Sequence, residues 1–220
     1  MPDLKMGTPG KSVLSESGGS ISWGTGAPTV EKSMFPTGTV LRVVHSFDNT
    51  PRTVTLYDIG NIYTNYGMDH AGHDLTSLDV TITPLLSTNK MYIQGKVSFG
   101  AYSAIYGVLR MYRSIAGVFP AKSATNQPWH STTSGQAGAK GFVGLETITM
   151  NDAAVQWQTV PAHFAYLDSP NTTEEVKYRL NILAEADSTT TAYINRAYYQ
   201  SNDYGATGTT SYLTVMEIAG

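Results

Sequence analysis

The sequence predicts an all-β fold: an antiparallel β-sandwich or jelly roll preceded by an extended N-terminal arm. Three observations carry this expectation. Short stretches with period-two alternation recur along the 220 residues, separated by turns rich in Gly, Pro, Asn and Ser. No stretch shows a convincing helical period. The closing stretch Ser211–Gly220 (SYLTVMEIAG) is apolar on both alternating sets, Leu213 and Val215 against Tyr212, Met216 and Ile218, as in a strand covered on both faces. Such a strand is central in a packed sandwich or is pressed against another subunit.

The domain boundary is expected near Gly38, with residues 1–37 as a Gly/Ser-rich arm and residues 38–220 as the sandwich. In the arm, Gly and Pro preclude a long helix, and Val13, Leu14, Ile21 and Trp23 are too few to form a core of their own. These four are the candidate assembly anchors. In the body, Thr39–His45 and Arg52–Tyr57 read as strands, followed by a loop rich in Tyr, Gly and Asp. Leu78–Pro84 turns Leu78, Val80 and Ile82 inward. After a turn at Ser87–Lys90, Met91–Phe99 sets Met91, Ile93, Val97 and Phe99 on one face. Ala104–Arg113 continues in period two and is expected to carry its arginines to solvent or to an interface. Ala116–Asn151 is the least regular part. Ala162–Leu167 is a further strand, and Val176, Tyr178, Leu180 and Ile182 alternate with Lys177, Arg179 and Asn181. Thr191–Arg196 and Ser211–Ile218 complete the set. Glu217 falls on the Leu213/Val215 side of its strand, so it is expected to reach solvent at the strand's end or to find a partner such as Arg179 or Arg196.

Composition narrows the function classes. Hydrophobic residues make up 41% and charged residues only 14%, so most polarity is uncharged and inexpensive to desolvate in self-association. A net charge of -3 and a pI near 5.9 argue against nucleic-acid binding, which requires a basic stripe. With no cysteine there is no disulfide framework, thiolate metal site or cysteine nucleophile. MPDLKM lacks the apolar core of a signal peptide, and no apolar run is long enough to span a membrane.

Candidate chemistry is sparse. Gly7–Ser12 (GTPGKS) ends like a phosphate loop, but Lys5 stands where its first glycine is needed and no buried strand precedes it. His70 and His73 lie in the cluster DHAGHD, where they could share a metal ion with a carboxylate; a polar loop is the better expectation for that spacing. No G-x-S-x-G elbow, triad or carboxylate pair is visible, so no catalytic residue and no cofactor is expected, and the chain is read as non-enzymatic. Tyr63, Tyr66, Trp129, Tyr198, Tyr199 and Tyr204 fall in or beside loops. Such aromatics suit either a saccharide or protein surface or contacts between subunits. Tyr212, Met216 and Ile218 are the candidate subunit interface.

Two resemblances add to this reading. Gly7–Leu14 (GTPGKSVL) with Ser17–Trp23 (SGGSISW) resembles a GTxGxxVLxSxGSxSW segment of tail-fibre-like proteins of tailed bacteriophages, with Lys11 in place of the usual glutamine. LDVTITPLLSTNKMYIQGKVSF, YLDSPNTTEEVKYRLNILAE and SYLTVMEIAG resemble three signatures of a β-sandwich virion surface module of marine and freshwater phages, the cyanophage type. The resemblance implies a homotrimeric jelly-roll virion protein, assembled in the host bacterial cytoplasm, with the major capsid protein or other virion subunits as partners. It leaves open two placements: a capsid decoration (cement) protein, or a tail-fibre tip contacting a host surface glycan or protein. The chain has no heptads and no repeated shaft, which favours decoration.

Overall fold

The computed structural model describes residues 14–17, 20–23, 35–56, 72–101, 106–120, 143–146, 157–185, 190–198 and 208–220. The chain divides into two compact units, Met1–Thr39 and Val40–Gly220. In the first unit, β1 (Leu14–Ser17) and β2 (Ser20–Trp23) form a two-stranded antiparallel ladder that pairs Leu14 with Trp23 and Glu16 with Ile21.

The second unit is an all-β sandwich of two antiparallel sheets. The first contains β3 (Val40–Asp48), β4 (Arg52–Leu56), β7 (Lys90–Ala101), β10 (Val160–Asp168), β12 (Thr190–Ile194) and β13 (Ser211–Ile218). The second contains β5 (His73–Asp74), β6 (Val80–Ile82), β8 (Tyr106–Ile115), β9 (Val143–Glu146) and β11 (Val176–Glu185). The four long strands of the first sheet run β3-β13-β7-β10, and the second runs β5/β6-β11-β8-β9. With β4, β5 and β12 set aside as extensions, the chain crosses between the sheets at every step except β8 to β9, which is jelly-roll order. The closing strand β13 is central, hydrogen-bonded to both β3 and β7.

The alternation seen in the sequence builds one core. Met91, Ile93, Val97 and Phe99 of β7 and Leu213 and Val215 of β13 face Val80, Ile82, Leu109, Met111, Val176, Tyr178, Leu180 and Ile182 of the other sheet. Gly95 makes room in this layer. A β-carbon there would lie 2.5 Å from the Phe164 ring on β10 and 2.7 Å from the Tyr212 carbonyl on β13. β9 is a strand inside the segment expected to be least regular. It pairs with β8 from Tyr106↔Glu146 to Leu109↔Val143, a partnership remote in sequence that local pattern does not reveal.

Two expectations are corrected. Arg110 and Arg113 are buried, at 1% and 8% exposure, and do not reach solvent. Arg113 turns inward, where Nη1 donates to both Asp168 oxygens at 2.6 and 2.7 Å and the Tyr178 hydroxyl donates to Asp168 Oδ2 at 2.7 Å. This group joins β10 of one sheet to β8 and β11 of the other. Arg110 lies on the opposite side of β8 and donates to Asn181 Oδ1 through Nη2 at 2.6 Å, and Asn181 donates to Asp74 at 2.6 Å. Glu217 is also fully buried, and neither Arg179 nor Arg196 is its partner. It accepts from Arg42 Nη2 at 2.9 Å, from the Leu85 amide at 2.5 Å and from Asn89 Nδ2 at 2.7 Å. Arg179 instead pairs with Asp79 at 2.6 Å, while Arg196 donates to the carbonyls of Ala197 and Tyr198.

Candidate interaction surface

A sheet strand offers alternate residues to opposite faces, and antiparallel register lines those residues up in rows across neighbouring strands. On the face of the first sheet turned away from the core, register defines four rows. Phe47, Tyr212, Lys96 and His163 form the first; His45, Thr214, Gln94 and Ala165 the second. Val43, Met216, Tyr92 and Leu167 form the third, and Val40, Ile218 and Lys90 the fourth. Val40, Val43, Phe47 and Leu167 are 50%, 53%, 63% and 55% exposed. Tyr212, Met216, Ile218 and Tyr92 are half-buried between them. The third and fourth rows are mainly apolar and the first two are mixed; grouped exposed apolar side chains of this kind mark an interaction surface more often than isolated ones, which are ordinary.

The face has fixed internal geometry. His45 Nδ1 lies 2.9 Å from Thr214 Oγ1, and the His45 ring stacks with Phe47 at a centroid distance of 6.2 Å and lies tilted to Tyr212 at 6.0 Å. Lys90 Nζ donates to Ser169 Oγ at 2.9 Å. Besides the phenols of Tyr92 and Tyr212, the charged and titratable groups of the four rows are Lys90, Lys96, His45 and His163; no carboxylate stands among them.

The strands beneath the face are held by buried polar groups. Asn195, in left-handed conformation at φ 60, joins the ends of β12, β13, β7 and β3. Its amide donates to the Ser98 carbonyl at 2.8 Å, and its side chain donates to the Asp48 carbonyl at 2.8 Å and accepts from Ser211 at 2.6 Å. Asp48 accepts from Ser77 at 2.6 Å and pairs with Arg52 at 2.5 Å. Burial alone would raise the Asp48 carboxyl, but Ser77, the Thr50 amide and Arg52 outweigh it and hold it below the ordinary value. At the other end, Glu217 and Asn89 tie β13 to the turn before β7, and the Gly220 amide donates to Asn89 Oδ1 at 3.3 Å.

The sequence-derived candidates distribute unevenly over this framework. Tyr212, Met216 and Ile218 sit together on the outer face, in three different rows. Tyr198 is half-buried and meets Tyr193 edge-on at 5.3 Å, away from those rows. His73 in β5 is half-buried; burial, with Arg52, holds its imidazole below the usual value against the raising effect of Asp74. Among the described residues no three His, Asp or Glu side chains group as metal ligands. Leu14, Ile21 and Trp23 belong to the β1–β2 ladder. Val13, Tyr63, Tyr66, His70, Trp129, Tyr199 and Tyr204 lie outside the described residues. Val43, Phe47, Tyr92 and Leu167 were missed by sequence reasoning. For Val43 and Phe47 the signal was their place on the side opposite Val44, with His45 between them; Tyr92 and Leu167 join them only through strand register.

No family model matches the chain, and no curated protein matches it. Among solved structures it is similar to infectious bursal disease virus of the Gt strain, with 11% identity and a TM-score of 0.35 over 81% of this chain. It is also similar to a D431N mutant VP2 protein of the same virus, from T=1 particles, with 13% identity and a TM-score of 0.34 over 81% of this chain. The VP2 subviral particle of that virus aligns with 12% identity and a TM-score of 0.32 over 83% of this chain. The chain spans 38%, 36% and 39% of those chains, respectively.

Proposed function

We propose that this chain is a non-enzymatic structural protein of a phage virion, a homotrimer that decorates the capsid shell as a cement protein. The observation that carries the reading is the outer face of the β3-β13-β7-β10 sheet, where Val40, Val43, Phe47 and Leu167 stand exposed on an internally stapled sandwich. Apolar area of this kind gains free energy when covered, and a repeated contact on a lattice multiplies that gain through avidity. The resemblance of three body stretches to a phage virion module gives the assembly its setting. Those stretches meet in the fold: Asn89 and Leu85 of the first bind Glu217 of the third, and Lys90 of the first binds Ser169 of the second.

In this reading Val13, Leu14, Ile21 and Trp23 anchor the N-terminal segment along shell subunits, and the sandwich bridges neighbouring subunits against internal DNA pressure. Co-sedimentation of the purified protein with shells lacking it tests this. The full chain binds; a chain without residues 1–37 keeps a cooperative melt and loses binding. Binding by the truncated chain at the full-length level overturns the anchoring role, and absence of binding by either overturns decoration.

The fibre-like Gly7–Trp23 segment favours a second reading, a tail-fibre tip that meets a host surface glycan or protein through its aromatic loops. Electron microscopy of labelled protein on the tail, with purified protein blocking adsorption to host cells, would select it.

A further inference from the structure

The outer sheet face carries cations and no carboxylate among the described residues, which decides what can cover it. Two copies stacked face to face would set Lys90 and Lys96 of one against those of the other, an arrangement that like charges oppose. The complementary surface must therefore be apolar and acidic. The sandwich itself offers one at its far end. Val118, 70% exposed, is the most exposed large hydrophobic side chain among the described residues. It follows the turn at Ala116 and Gly117, and the Ala116 amide donates to the Glu175 carbonyl at 2.9 Å, which fixes this turn beside the Asn171–Glu175 turn. Glu174 and Glu175 are exposed there, and neither forms an ion pair among the described residues. The second turn is itself braced, since Asn171 is left-handed at φ 53 and the Glu174 amide donates to Thr172 Oγ1 at 3.0 Å.

We propose that this acidic knob, Val118 with Glu174 and Glu175, docks on the Phe47–Tyr212–Lys96–His163 row of a second copy. The knob follows β10 at its Asp168 end, whereas His163 and Lys96 lie roughly 20 Å away along the strands. Donor and acceptor surfaces thus sit at opposite ends of the sandwich. The contact is head-to-tail, of the kind that closes into a ring when the rotation between copies permits and propagates when it does not. Val118 supplies the apolar contact to Phe47 and Tyr212, and the two carboxylates face Lys96 and His163. The inference rests on the reading of this face as an assembly surface and names the surface that covers its first row.

Sedimentation velocity of the full chain over a range of concentrations tests the docking, independently of any shell. The wild type associates. Lys96→Glu alone, or Glu174→Lys with Glu175→Lys, weakens association about tenfold or more. Combining the three substitutions restores it, since the pair is rebuilt with reversed sign. Val118→Asp abolishes association. Val118, Glu174 and Glu175 are exposed and Lys96 is half-buried on the outer face, outside the core, so thermal melting of each variant stays close to the wild type and separates lost docking from lost fold. A wild-type monomer at every concentration overturns the proposal. So does association that the triple charge reversal fails to restore or that Val118→Asp leaves intact. Shell binding by a monomer would overturn this docking and leave decoration standing; a charge-swappable oligomer that ignores shells would do the reverse.

Discussion

Glu217 shows most clearly how a residue's neighbours set its worth. By alternation it belongs to the Leu213/Val215 side of β13, and that side is the core, so its carboxylate is buried with three donors around it. Removing it deprives the buried Asn89 side chain of its acceptor, and a polar group left buried in this way costs about 1–3 kcal/mol. Met216, one position away, is half-buried on the outer face and has no such dependants. We therefore expect Glu217→Leu to lower the melting temperature well below that of Met216→Asp, which should melt near the wild type and lose association instead. Differential scanning calorimetry on the two variants decides it. Sequence reasoning ranks this pair the other way. It sees a lone charge on an apolar strand but not the Asn89 turn that encloses it, more than a hundred positions away.

At the scale of elements, the two sheets are pinned together by more than apolar contact. The Arg113–Asp168 pair and the Tyr178 hydroxyl bring a charge-assisted group into the space between β8, β10 and β11. Burial, and then the Asp168 charge, push the Tyr178 phenol far above its ordinary value. Its folded value exceeds its unfolded one, so the associated stability is complete below about pH 10 and is lost as pH rises beyond it. There the unfolded chain releases a proton that the folded one retains, a decline of about 1.4 kcal/mol per pH unit for this residue. Tyr178→Phe should cost about 1–2 kcal/mol at pH 7 and flatten the alkaline decline by one tyrosine's share. Denaturant titrations between pH 8 and 11.5 measure both; an unchanged alkaline slope would show that Tyr178 ionises freely in the folded protein. The strands bearing these groups were legible from their alternation. Their pairing into a staple was not, because periodicity reports which face a side chain takes and never which strand lies across from it.

For the whole molecule, the apolar outer face is surplus to folding. Val43 and Leu167 bury little of their side chains in the single chain, so replacing both by Ser should change stability by less than about 1 kcal/mol. The same double substitution removes the most exposed side chains of the third row, and binding of a hydrophobic dye to the folded protein should fall. Undiminished dye fluorescence with an unaltered melt would show that the row is not an accessible apolar surface. An exposed apolar face of this kind is a surface that loses its contact with water only when something covers it. That is a property of the sheet as a unit, since no single residue of the face is unusual alone.

The sequence by itself determined the all-β class, the inward residues of most long strands and the central, two-sided character of SYLTVMEIAG. Each of these follows from local alternation, which is written in consecutive residues. Only the tertiary structure decided the jelly-roll strand order, the burial of Arg110, Arg113 and Glu217, and the joining of Val43, Phe47, Tyr92, Leu167, Tyr212, Met216 and Ile218 into one face. The physical reason is that hydrogen-bond register between strands distant in the chain sets which side chains become neighbours. Charge is inexpensive or prohibitive to bury according to those neighbours alone.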